Sequence, residues 1–267
     1  MNIMNVLFIG DISGGLGRKM IKETLPSLRK SKQIDFVIAN CENAAHGRGV
    51  TRAILTELQA YGIDFFTAGD HIWDQKEFLN DLYDNSLPIV RFYNYEGGDS
   101  VPGKPYSIIE FDNQKIIVAT FSGMSFMKYT PQNPFWAADR FFGELNKQKL
   151  NKNNSMILID FHGESTAEKL SFAEYVKDKA SAVVGTHTHV GTIDSEIKGD
   201  LAYVTDVGMV GPLDSSLWVE FESAIHNFKY PFRKPFAMKE EGRKVFNSVL
   251  IEFNPLPQKI ERIDKIY

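Results

Sequence analysis

The sequence predicts an α/β fold, and two observations predict it: short apolar runs that read as buried strands, and amphipathic stretches that alternate with them. The runs "VLFIG" (Val6 to Gly10), "DFVIAN" (Asp35 to Asn40), "DFFTAG" (Asp64 to Gly69) and "LPIVRF" (Leu87 to Phe92) come early. Between them the spacing predicts helices over Gly17 to Arg29, Thr51 to Tyr61 and Asp74 to Tyr83. That order implies a largely parallel first sheet. The middle of the chain changes character at "YSIIEFDNQKIIVATF" (Tyr106 to Phe121), where Asp112-Asn113 separates two β-rich runs in the manner of a hairpin. Strands then recur at "MILIDF" (Met156 to Phe161), "SAVVGT" (Ser181 to Thr186) and "LAYVTD" (Leu201 to Asp206), and a closing strand is expected near Val245 to Phe253. The segment "GMSFMKYTPQNPFW" (Gly123 to Trp136) suits neither strand nor helix. It reads as a loop that covers a site, meets a partner or simply packs on the surface.

A chain of 267 residues can bury a sizeable core. No linker, fixed-period repeat or low-complexity tract interrupts it, so residues 1–267 are taken as one domain. The formal charge of -4, with 24% charged residues of both signs, provides no broad cationic track for an extended nucleic acid. Met1 to Asn5 lack the pattern of a secretory leader, and no apolar run approaches the roughly 20 residues that span a bilayer. The one cysteine, Cys41, excludes an internal disulfide and a multi-thiolate zinc site. A soluble protein of the reducing cytoplasm is expected, and self-association is left open.

In parallel α/β sheets ligands bind beyond the carboxyl ends of the strands. Asp11 follows the first run, Glu42 and Asn43 the second, Asp70 and His71 the third; His162 follows "MILIDF", and His187 and His189 follow "SAVVG". Each has an ordinary reading: Asp11 as a helix cap, Glu42 as a partner of Arg48, His162 as a satisfied imidazole, Asp70 as an Asx turn. Together they are harder to explain, because acidic groups gathered without lysine or arginine repel unless divalent cations compensate. Oxygen and nitrogen donors without thiolates suit iron, manganese, zinc or cobalt. "GTHTHV" (Gly185 to Val190) is the strongest local signal, since two histidines at an irregular strand end can serve two ions. His46 and His226 have no such setting. The glycine-rich "GDISGGLG" offers a rival phosphate cradle, but it lacks both a dinucleotide fingerprint and the lysine of a P-loop.

In chain order these blocks, "GD" (Gly10-Asp11), "ENAAHG" (from Glu42), "GDH" (Gly69 to His71), "FHGE" (with His162) and "GTHTH" (with His187 and His189), resemble those of the calcineurin-like metallophosphoesterases. "CENAAHGRG", "DFHGESTAEK", "VVGTHTHV" and "YVTDVGMVGP" are similar to the bacterial YmdB-type branch of 2′,3′-cyclic nucleotide phosphodiesterases. The resemblance implies a four-layer αββα sandwich of two mixed sheets flanked by helices. It also implies two metal ions, divalent or mixed-valence, iron or manganese ahead of zinc or cobalt. Asp11, Glu42, Asn43 and His189 would hold one ion; Glu42, Asp70, His162 and His187 would hold the other, with Glu42 bridging. His71 would face the substrate as proton donor. Ions about 3.5–4 Å apart can share a hydroxide and bind phosphoryl oxygens, which implies hydrolysis of a small cyclic nucleotide such as 2′,3′-cAMP.

Two positions depart from the family. Ser13 stands where many members have histidine, as expected if Asn43 takes over that role. Asp70 stands where the family has asparagine, and a third ligand carboxylate would hold cations more firmly while leaving less positive charge for the substrate. That keeps open a weakly active or non-catalytic metal- or nucleotide-binding regulator. Action on other phosphoesters, or a structural metal site, are the remaining alternatives.

Overall fold

The computed structural model describes residues 3–95, 97–129 and 131–267. Met1 and Asn2, within the stretch tested for a leader, Glu96, and Thr130 of the aromatic segment lie outside the described residues.

The first part of the chain forms strands β1 (Met4–Ile9) and β2 (Asp11–Ile12), helix α1 (Gly14–Ser31), β3 (Phe36–Asn40), α2 (Arg52–Ala60), β4 (Phe65–Thr67), the short α3 (Phe78–Asp81) and β5 (Ile89–Val90). The hairpin follows as β6 (Tyr106–Phe111) and β7 (Gln114–Ser122), then α4 (Pro134–Lys147), β8 (Met156–His162), α5 (Thr166–Val176) and β9 (Ala182–Thr186). The remainder is β10 (Glu196–Lys198), β11 (Leu201–Val204), β12 (Met209–Pro212), α6 (Phe221–Lys229), β13 (Lys244–Phe246), β14 (Ser248–Phe253), β15 (Pro257–Arg262) and β16 (Lys265–Ile266).

Two six-stranded mixed sheets, ordered β15-β14-β1-β3-β4-β5 and β10-β11-β9-β8-β7-β6, lie face to face. In the first, β1, β3, β4 and β5 run parallel; in the second, β7, β8, β9 and β11 do. Val6, Phe8, Ile38 and Ile251 of one sheet pack against Val118, Leu158, Val184 and Val204 of the other. Leu7, Val37 and Phe66 point the opposite way, onto Met20, Leu25 and Leu58 of α1 and α2. Ile117, Ile159 and Val183 meet Phe141 and Phe172 of α4 and α5. Side chains alternate across a strand, and here both faces of the central strands are covered. Near-continuous apolar runs are the consequence, and the four-layer sandwich expected from the sequence is the result.

Several details differ from the sequence expectation. A third, four-stranded sheet, β16-β13-β12-β2, accompanies the two main ones. It arises because the chain switches sheets at Gly10, where a Cβ would lie 1.8 Å from the Gly208 carbonyl oxygen. Gly10 N donates to the Asn247 carbonyl at 3.1 Å, and there the expected closing strand likewise breaks into β13 and β14, in different sheets. Helix α1 is longer than Gly17 to Arg29. The helix expected over Asp74 to Tyr83 contracts to Phe78–Asp81, because the residues before it are spent in turns, Asp74 N donating to the His71 carbonyl and Phe78 N to the Gln75 carbonyl, each at 3.0 Å. The segment from Gly123 is irregular, but its end is helical: Asn133 caps α4, accepting from Phe135 N at 2.9 Å, with Pro134 in the first turn where its missing N–H costs nothing. The hairpin turn falls where expected, with Asp112 and Asn113 at φ of 46° and 61°.

Phe8 is completely buried at the sheet-to-sheet interface. Phe8→Ala is expected to destabilise the protein by about 3–5 kcal/mol, measured as a lower urea midpoint with an unchanged m-value; a loss below about 1 kcal/mol would contradict this packing.

Candidate metal centre

All of the polar strand ends singled out in the sequence meet at one edge of the sandwich. Asp11 opens β2, Glu42 and Asn43 follow β3, Asp70 and His71 follow β4, His162 ends β8, and His187 and His189 follow β9. Both main sheets therefore contribute. Glu42, Asp70, His162 and His187 form one group whose ligand atoms all lie within 4.8 Å of one another, and Asp11, Glu42 and His189 form a second. Glu42 belongs to both. Asn43 joins the second group through its Oδ1, 3.2 Å from His189 Nε2. Glu42 Oε2 is 3.2 Å from His162 Nε2, not paired with Arg48, and Asp11 caps no helix because Ser13 occupies that position.

His187 and His189 would face the same side in a regular strand. They serve different groups because both adopt left-handed backbone, with φ of 100° and 64°. Such conformations cost about 1–3 kcal/mol each and persist only where surrounding contacts hold them. One such contact runs from His187 N to Asp11 Oδ2 at 3.2 Å.

A buried network fixes the His162 ring. Thr186 Oγ1 lies 2.8 Å from His162 Nδ1 and donates to Asp160 Oδ1 at 2.6 Å, so the ring presents Nε2 to the carboxylates. Asp160 Oδ2 also accepts from Thr67 Oγ1 at 2.6 Å and Asn40 Nδ2 at 3.0 Å, tying the second sheet to the first. His71 stands at the rim, and its Nδ1 lies 2.8 Å from Asp74 Oδ2. Lys128 Nζ, from the irregular segment, reaches the other Asp74 oxygen at 3.3 Å. His46 is exposed, and His226 packs on Tyr230 and Phe232. Neither belongs to the two groups.

Sequence reasoning missed Asp160, Thr186, Asn40, Thr67 and Asp74 as supporting residues. A carboxylate inside the apolar run "ILIDF" was the available signal for Asp160; for Asp74 it was the three-residue spacing from His71.

Electrostatics define what the crevice accepts. Burial raises the Asp11 carboxyl well above its usual range, and nearby Glu42, Asp206 and Asp160 add to this against the opposing charge of His162. Burial opposes ionisation of Glu42 and Asp70 too, but His162 outweighs it and both carboxyls fall below their usual values. His162 is correspondingly raised, despite burial, by Glu42 and Asp70. His187 is lowered to about 4 by burial and by the charge of His162. No lysine or arginine pairs with Asp11, Glu42 or Asp70 among the described residues. The buried Asp11 Oδ1 and Asp70 Oδ1 have no hydrogen-bond partner. Carboxylate and amide oxygens with imidazole nitrogens, left unsatisfied in this way, fit divalent cations.

The sandwich and this crevice define a metallophosphoesterase. The chain belongs to the YmdB-like family, whose model matches residues 7–266. It is 39% identical over 265 residues to the 2′,3′-cyclic-nucleotide 2′-phosphodiesterase of Bacillus subtilis strain 168, covering 98% of this chain and 96% of the relative. Among solved structures, a "novel phosphatase" from Mycoplasma pneumoniae superposes with a TM-score of 0.91 at 30% identity, covering 100% of this chain and 94% of that one. A hypothetical protein from Thermus thermophilus does so with a TM-score of 0.89 at 34% identity, over 98% and 99% of the two chains.

Gly69 leaves the crevice open: a Cβ there would lie 1.8 Å from Glu42 Oε2 and 2.4 Å from His162 Nε2. Gly69→Ala is expected to fold with an unchanged circular dichroism spectrum but to lose cation uptake at least about tenfold. Wild-type metal content in the variant would contradict this geometry.

Proposed function

We propose that the protein is a metal-dependent phosphodiesterase that hydrolyses small cyclic nucleotides of the 2′,3′-cyclic phosphate class. The observation that carries this reading is Glu42, shared between two groups of buried ligands at the carboxyl ends of both sheets. The activity of the Bacillus subtilis relative supports it and favours turnover over a purely regulatory role. Asp11, Glu42, Asn43 and His189 hold one cation; Glu42, Asp70, His162 and His187 hold the other. Both groups draw on both sheets, which supports treating residues 1–267 as one domain. The thiolate-free donor set is compatible with iron, manganese, zinc or cobalt, and the family resemblance puts iron or manganese first.

When bound, two divalent cations neutralise phosphoryl charge and acidify water. The chain's own residues do the rest. Opening a cyclic phosphate leaves negative charge on a ribose oxygen, which needs a proton. Asp74 engages Nδ1 of His71, so Nε2 is the atom left to deliver that proton. Beside His71, Trp73 packs on Tyr95 with ring centroids 4.9 Å apart, and Tyr129 of the irregular segment closes the cluster at 6.2 Å from each. These rings offer apolar surface for a nucleobase. No helix among the described residues is long and apolar enough to cross a membrane. The reading of a cytoplasmic protein rests on the sequence, whose one cysteine leaves no disulfide framework to need an oxidising compartment.

Manganese-loaded protein is expected to turn over 2′,3′-cyclic nucleotides ahead of phosphoproteins and RNA ends in a substrate panel. His71→Ala should keep its metal and lose about 10²–10⁴-fold in kcat. Loss of metal from that variant would assign His71 to ligation, and an unaltered kcat would remove it from catalysis.

Cation binding should also depend on pH. Because His162 holds a proton above its ordinary range, that proton must leave before Nε2 can ligate. Manganese affinity should therefore rise from about pH 6 to about pH 8, with net proton release in calorimetry in buffers of different ionisation enthalpy. Equal affinity and no proton release would contradict the role of His162.

A further inference from the structure

The lysine in "DFHGESTAEK" and the aspartate in "YVTDVGMVGP" meet as an ion pair beneath the histidine turn. Lys169 of α5 and Asp206, just after β11, are each 1% exposed, with Lys169 Nζ 2.7 Å from Asp206 Oδ2. Lys169 Nζ also donates to the Thr186 carbonyl at 2.7 Å. Asp206 Oδ2 accepts from the backbone N of Thr188 at 3.1 Å and from its Oγ1 at 2.8 Å, while Oδ1 accepts from Gly208 N at 2.8 Å. The pair therefore grips the backbone on both sides of His187 and immediately before His189. Removing two charges from water is costly unless geometry and further hydrogen bonds compensate. Here every further bond of the pair goes to the turn or to the segment that leaves Asp206.

We infer that Lys169 and Asp206 are positioning residues that hold the His187 to His189 turn in its left-handed conformation, so that two histidines one residue apart point to two different cations. This rests on the metal-centre reading above. Neither residue need touch substrate or metal. Lys169 fixes the carbonyl that enters the turn and Asp206 fixes the amide between the histidines. The other contacts on the turn are those of His187 N with Asp11 Oδ2, of Gly163 N with the Thr186 carbonyl at 3.4 Å, and of the two imidazoles with His162 and Asn43; the ion pair differs from these in bonding the backbone on both sides of His187 through groups that carry full charge. The ammonium also offsets the Asp206 carboxylate, which lies close enough to raise the Asp11 carboxyl.

The test uses the full chain. Lys169→Met/Asp206→Asn removes both charges together, so no unpaired ion is left in the interior, and Lys169→Gln/Asp206→Asn does the same while keeping a donor for the Thr186 carbonyl. Manganese dissociation constants are measured by calorimetry, and thermal unfolding is followed on the metal-free proteins. The expected result is a manganese affinity at least about tenfold weaker in Lys169→Met/Asp206→Asn, partly restored in Lys169→Gln/Asp206→Asn, with metal-free melting close to wild type. A part that is only structural would lower the melting temperature of the metal-free protein and leave manganese affinity of the folded fraction intact. That result, or wild-type affinity in fully folded Lys169→Met/Asp206→Asn, overturns the inference while leaving the metal centre standing. If wild-type protein itself binds no manganese, the metal-centre reading fails and this inference with it.

Discussion

The constraint on which the rest of the structure depends is the mutual repulsion of carboxylates held out of water at the meeting edge of two sheets. Asp11 and Glu42 come from the first half of the chain, and Asp70 joins them from the next strand, all buried and none paired with lysine or arginine among the described residues. Imidazoles from the second sheet stand opposite. At separations of a few ångströms in a poorly screened interior, such carboxylates cost far more than they return unless positive charge sits among them. The perturbed protonation of the group, with Asp11 raised by burial and His162 raised by its acidic neighbours, is how the metal-free crevice redistributes that charge. Two cations would resolve it more completely than one proton.

The fold explains why those groups can be held there at all. Covering the central strands on both faces gives a rigid apolar frame, and the candidate ligands lie at strand ends. Asp160 supports them from inside the frame. It sits within a buried strand; its hydrogen bonds from Thr67 and Asn40 cross the sheet-to-sheet interface, while the bond from Thr186 stays within the second sheet and leads to the His162 ring. One side chain thus couples the register of the two sheets to the orientation of His162. The frame also sustains unfavourable backbone at His187 and His189 that an isolated turn would not keep.

Much of this was legible in the sequence, and the reasons are physical. Strand ends in parallel sheets collect ligands, so Asp11, Glu42, Asn43, Asp70, His71, His162, His187 and His189 were all found by looking just beyond apolar runs. Their division into two groups around Glu42 follows the family resemblance and matches the geometry. What escaped was set by tertiary contact. The third sheet depends on a sheet switch at Gly10 and Asn247, and local periodicity carries no record of which sheet a strand joins. The helix expected from Asp74 lost its first turn, where Asp74 bonds back to His71 and Gln75 accepts from Phe78 N. Asp160 was hidden by its apolar neighbours, and the bond from Lys169 to Asp206 joins positions too far apart for any local pattern to link.

The central claim is that the acidic edge holds a pair of cations around one shared carboxylate. The most direct measurement is anomalous diffraction at the manganese edge from crystals grown with manganese. The account predicts two peaks flanking Glu42, one bounded by Asp11, Asn43 and His189, the other by Asp70, His162 and His187. A single peak away from Glu42, or none within reach of these side chains, would contradict it.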